Sequence, residues 1–143
     1  MKYSIPSLDA VEQHGLAEQL RTRNLCCAKY GLYLSEQAIT SLLEKRMAAL
    51  QEHGRVEPGE SVLCKLVDAF YDCPYLEQDT FTDTLCELLD TFYYFKNESC
   101  DLVTDDDLIT WMREQFDVSD GSIDYLLGAS LDSLFQFHYL GEE

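Results

Sequence analysis

Between residues 81 and 95 the apolar side chains recur at a spacing that only a helix turns into one face. Phe81, Leu85, Leu88, Leu89, Phe92 and Phe95 fall three or four positions apart, which at 3.6 residues per turn gathers them into a single stripe. The pattern returns elsewhere. Ile39, Leu42, Leu43, Met47 and Leu50 form one stripe, and Leu108, Ile109, Met112 and Phe116 form another. Val62, Leu63, Leu66, Val67 and Phe70 fill a shorter one. No stretch alternates as a half-buried strand would, apart from an ambiguous run at residues 25–34, "LCCAKYGLYL". The chain is therefore expected to be all-α, a single compact bundle of about six to seven helices over residues 1–143, without coiled-coil heptads. Within it, residues 1–34 supply N-terminal helices and the ambiguous segment, and residues 35–143 the helical core.

Helix ends are written locally. Ser35 is placed as an N-cap, with Leu34 and Ile39 as the hydrophobic staple around it. Gly54 sits where a left-handed residue closes the same helix, and His53 occupies its last turn, where the dipole favours a cation. That capping role outweighs a role for His53 as a metal ligand. "EQHG" at 12–15 echoes "QEHG" at 51–54 and predicts that a short helix ends there too. Residues 55–61 read as a loop, Pro74 closes the helix after it, and Asp79 is placed to cap the next. In "VTDDDL" Thr104 is an N-cap and Asp107 its partner three residues on, with Val103 and Leu108 as the staple. Asp105, Asp106 and Asp107 then face the positive end of a helix, which is sufficient cause for three consecutive carboxylates. Two shorter helices are expected near 120–127 and 131–140, separated by Gly128.

With 46% apolar residues, 143 residues can bury a real core. No uncharged apolar run is long enough to span a bilayer, and the first residues lack the apolar centre of a signal peptide. A cytoplasmic location is expected. Six cysteines, at 26, 27, 64, 73, 86 and 100, include no C-x-x-C pair. They are read as free thiols packed as small apolar residues. Cys73 beside Asp72 is a poor nucleophile, because a neighbouring carboxylate raises a thiol's pKa.

The net charge of −17 is unevenly placed. Residues 1–71 hold eight Lys/Arg and nine Asp/Glu, whereas residues 72–143 hold two and eighteen. Such a half repels phosphates and anionic lipid, so neither nucleic acid nor a membrane surface is expected as a partner. It suits docking on a protein with a basic surface, mimicry of nucleic-acid charge, or solubility alone.

The segment "FDVSDGSIDYLLG", 116–128, resembles a calcium loop but fails as one. Counting from Asp117, Asp120 and Gly121 fall one place early, and position 12 is Gly128 or, with a gap, Leu127, where a bidentate Glu belongs. It reads as a helix junction capped by Ser119 or Asp120. No phosphate-binding glycine loop, nucleophile elbow or zinc-protease motif occurs, so no cofactor and no catalytic residue is assigned. A metal-dependent enzyme using ungrouped carboxylates remains the alternative class. For protein docking the candidates are Tyr93 and Tyr94, which lie off the core stripe, and Asp105, Asp106, Asp120 and Asp124.

The phrases "KRMAALQEHGRVEPG", "FYDCPYLEQDTF", "LLDTFYYFKNES", "LVTDDDLITWM" and "GSIDYLLG" occur in that order. Over about residues 30–135 the chain resembles a family of small acidic helical proteins of uncharacterised function from low-GC Gram-positive anaerobic bacteria. The resemblance implies a single helical domain of bacterial cytoplasmic origin, and carries no site residue with it.

Overall fold

A computed structural model describes residues 8–57, 61–130 and 132–135, with side chains from Gly15 onward. Six α-helices follow in order: α1 Leu8–Cys27, α2 Glu36–Glu52, α3 Val62–Phe70, α4 Phe81–Glu98, α5 Asp105–Val118 and α6 Ile123–Leu127. Short 3-10 turns at Ala28–Tyr30 and Gln78–Thr80 precede α2 and α4, and residues 132–135 are again helical. There is no strand among the described residues, so the chain is an all-α bundle.

Helix α4 is the axis of the bundle, packing against α2, α3, α5 and α6. All six residues of its apolar stripe are buried. Helix α3 buries six of its nine residues, as befits an element that is apolar nearly all round. The aromatic rings lock edge to face: Phe70 on Phe116 at 5.5 Å between centroids, and Phe95 on Trp111 at 5.2 Å. Each fully buried ring or Leu contributes on the order of 1.5–3 kcal/mol of transfer free energy.

The expected caps at Ser35 and Thr104 are formed. Ser35 Oγ accepts from the Ala38 amide at 3.0 Å, and Thr104 Oγ1 from the Asp107 amide at 3.1 Å. Gly54 takes a left-handed φ of 66°, and the Arg55 amide reaches back to the Leu50 carbonyl at 2.8 Å. Four other ends differ from expectation. Helix α1 runs straight through Gly15, because Leu16, Ala17 and Leu20 continue a buried face beyond it. Asp79 lies inside a 3-10 turn, and α4 starts after Thr80 without a side-chain cap. Helix α3 ends at Phe70, before Pro74. The residue capping α6 is Ser122, whose Oγ accepts from the Tyr125 amide at 3.0 Å, and not Ser119 or Asp120. The helix expected at 131–140 is described only over 132–135; the remainder lies outside the described residues.

The ambiguous run at 25–34 resolves by side-chain substitution for a missing strand. Asn24 bonds both backbone groups of Leu34, at 2.9 and 2.7 Å. Gln78 does the same for Tyr33, at 2.7 and 3.1 Å. Extended backbone that would otherwise need a ladder partner is thus satisfied by two amides.

One polar cluster lies inside this frame. Arg46 and Glu57 form an ion pair at 2.7 Å with side chains only 9% and 5% exposed. The other oxygen of Glu57 accepts from the Tyr93 hydroxyl at 2.7 Å and the Val62 amide at 2.9 Å. Glu57 therefore fixes the loop after α2 onto α4 and also holds the start of α3.

Candidate functional site

A cleft of about 790 Å³ opens between the first half of α4 and the turn that leads into α6. Its walls are Tyr75, Phe116 and Ile123, and its carboxylates are Asp83, Glu87 and Asp124. The acidic side of α4 follows from spacing: Asp83 and Glu87 are four residues apart on the face opposite the buried stripe. The opposite wall follows from the junction after α5. There Asp120 and Gly121 both take left-handed φ values, 58° and 88°, and the Gly121 amide returns to the Phe116 carbonyl at 2.8 Å. Glycine is required at 121 for a second reason, since a Cβ there would lie 2.6 Å from Tyr75 Cβ. Ser119 Oγ braces the turn, donating to the Gln115 carbonyl at 3.0 Å and accepting from the Ser122 amide at 3.2 Å.

Residues 117–128 thus form a helix junction. Both carboxylate oxygens of Asp117 are engaged: Oδ2 by Arg113 Nε at 2.8 Å, Oδ1 by the Cys73 thiol at 3.3 Å. Burial, with that carboxylate as a lesser cause, pushes the Cys73 thiol up to about 11. It stays protonated near neutrality and is not an activated nucleophile. Tyr75 is 41% exposed, and the Asp120 carboxylate beside it raises its phenol above the ordinary range. All six cysteines are free.

Within the cleft lining there is no Lys or Arg. Among the described residues, Asp83, Glu87 and Asp124 have no ion-pair partner. Lys45 on α2 is the cation whose charge reaches Cys86 at the cleft's edge. Three unneutralised carboxylates around an aromatic and aliphatic floor can bind a cationic group that carries an apolar stem.

The structure separates the six candidate docking residues. Tyr93 is 2% exposed and committed to Glu57, so it belongs to the interior; Tyr94 is 41% exposed. Asp105 pairs with Lys96 at 2.7 Å and Asp106 with Lys65 at 2.9 Å, both at the start of α5. Asp120 and Asp124 lie past its other end, about 21 Å along a 14-residue helix. The four aspartates therefore do not make one patch. Asp124 lines the cleft and Asp120 adjoins it through Tyr75. Sequence reasoning missed Tyr75, Asp83 and Glu87; the available signal was the pair of carboxylates at i,i+4 on the outer face of α4.

No curated protein and no solved structure matches the chain. A family model does, over residues 19–141, which takes in α2 to α6 and the cleft. The chain belongs to the family of unknown function DUF6323.

Proposed function

We propose that this protein is a non-catalytic accessory or regulatory module that binds another protein, and that the cleft between α4 and α6 takes a Lys- or Arg-bearing segment of that partner. The observation that carries this reading is the pairing of three carboxylates, without an ion-pair partner among the described residues, with the exposed ring of Tyr75. Acidic rims speed encounter and select the partner, while a buried aromatic contact holds it. A concave site with an apolar floor favours a protein segment over a site blocked by charge mimicry, which needs only a convex array of charges. Six free thiols support a reducing, cytoplasmic setting, and the sequence phrases support a bacterial one.

The test is a photo-crosslinking residue placed at Thr84, in the cleft lining, and in parallel at Tyr94 on the same helix. A partner protein captured from Thr84 should be lost in the Asp83→Asn, Glu87→Gln, Asp124→Asn variant and weaken as salt rises. Its association rate should fall by about tenfold or more. Capture that is equal at both positions, or an unchanged association rate in the triple variant, removes the cleft from the function.

A further inference from the structure

Where α2 ends against α4, three side chains of two donor types converge. Glu52 and His53 close α2, and Asp90 faces them from α4. His53 Nε2 lies 2.9 Å from Asp90 Oδ1. One ligand atom from each of the three residues falls within 4.8 Å of the other two.

The histidine is held in place by contacts of its own. Its backbone amide donates to the Ala49 carbonyl at 2.9 Å, and its carbonyl accepts from Asn97 Nδ2 at 3.0 Å. Arg55 in turn bonds Asn97 and Asp101. The ring lies against Tyr93, 6.1 Å between centroids, with 16% of the side chain exposed. The imidazole is thereby oriented in advance by the Asp90 bond and the Tyr93 ring, on a backbone held at both of its polar groups. Asp90 is 43% exposed at its side chain and Glu52 is exposed, so the group opens to solvent on one side.

We propose that Glu52, His53 and Asp90 form a zinc site of three protein ligands, with water in the fourth place. One imidazole nitrogen and two carboxylate oxygens are a donor set for a borderline divalent ion. Calcium would need six or more oxygens, which this group does not offer. Tetrahedral bonds of about 2.0–2.1 Å put ligand atoms about 3.3 Å apart. Reaching that spacing needs the exposed Glu52 to swing inward and the His53–Asp90 pair, hydrogen-bonded at 2.9 Å, to open by a few tenths of an ångström as the ion replaces the proton between them. Two carboxylates also balance the ion's charge, in a chain whose overall field attracts cations. This inference is independent of the cleft. It assigns His53 a second role beyond closing α2, with the ion tying α2 to α4 where a hydrogen bond otherwise does.

The experiment uses the full chain, freed of metal and kept reduced. Zn²⁺ is titrated by calorimetry, and Co²⁺ by absorption spectroscopy. The expected result is one equivalent of each ion, with visible Co²⁺ bands and no near-ultraviolet thiolate band. Glu52→Gln and Asp90→Asn should each weaken Zn²⁺ binding by at least about tenfold, since even outer partners of a metal ligand are worth that much. Their far-ultraviolet circular dichroism should not change. His53→Gln should abolish binding, but it also removes a bond between helices, so the two carboxylate variants carry the decision. Absence of saturable binding, full binding in both carboxylate variants, or a thiolate band placing the ion on cysteine would each overturn the site.

Discussion

Replacing Glu57 with Ala removes one carboxylate from three partners. Arg46 loses its counter-ion, and the Tyr93 hydroxyl and Val62 amide lose their acceptor. Arg46 is 7% exposed, so its charge is left in the interior without compensation. Breaking a buried pair on one side costs about 3–5 kcal/mol. Each orphaned neutral donor adds about 1–3 kcal/mol where water cannot reach it. Neighbouring effects of this kind do not add fully, so the expected loss is about 4–6 kcal/mol. A domain of this size has about 5–15 kcal/mol in total, so the variant should be close to unfolding. The double variant Arg46→Met, Glu57→Leu should recover much of the loss, because no charge is then stranded. Tyr93→Phe, which removes only one donor to a charged acceptor, should cost about 1.5–3 kcal/mol. Urea denaturation followed by circular dichroism and by the fluorescence of buried Trp111 measures all four proteins. A Glu57→Ala loss below about 1 kcal/mol, or a double variant no more stable than Glu57→Ala, would refute the view that this pair is an interdependent buried unit.

Thr104→Ala should lower stability by about 0.5–2 kcal/mol in the same assay, through loss of the cap on the Asp107 amide. Gly121→Ala should cost about 1–3 kcal/mol, from its left-handed φ and the approach of Tyr75, and should reshape the cleft wall. Alkaline titration should destabilise the fold. Burial raises the Cys27 and Cys73 thiols from 9.0 to about 11, so their contribution is complete below pH 9 and lost as pH climbs toward 11. Each should account for about 1–2 kcal/mol, and Cys27→Ala with Cys73→Ala should flatten stability measured between those pH values.

What could be read from sequence was what neighbours in sequence decide. The Phe81–Phe95 stripe and the caps at Ser35 and Thr104 depend on residues within one or two turns, and these formed, whereas the cap expected at Asp79 did not. Gly15 misled because a glycine can end a helix only if no apolar face continues past it, and Leu16 and Leu20 continue it. At the α5–α6 junction several short polar residues compete for one cap, and backbone geometry chose Ser122. Arg46 and Glu57 were illegible for a different reason. A charge within a helical pattern reads as surface, and its buried partner lies eleven residues away in a loop. The cleft shares this character: Tyr75, Asp83 and Asp124 sit on three separate segments, and only the packing of α4 on α6 brings them together. Tyr93 and Tyr94 are adjacent in sequence, yet one is interior and the other surface, because Tyr93 turns toward Glu57 and His53 beyond the end of α2.

Most of the described cations act as rivets. Arg21 joins α1 to Glu36 of α2, Arg23 joins it to Asp68 of α3, and Lys65 joins α3 to Asp106 of α5. Lys96 and Arg113 tie α4 and α5 to the segments beside them. The carboxylates left over repel one another across the second half of the chain. Added salt therefore pulls in two directions. It quiets that repulsion, which at a net charge of −17 outweighs the small exposed rivets it also screens, and so tightens the bundle, while it dims the field with which the cleft draws a basic segment. A rise in ionic strength makes the protein sturdier and less adhesive together, so its hold on a partner would be adjustable by the surrounding electrolyte without any change of shape.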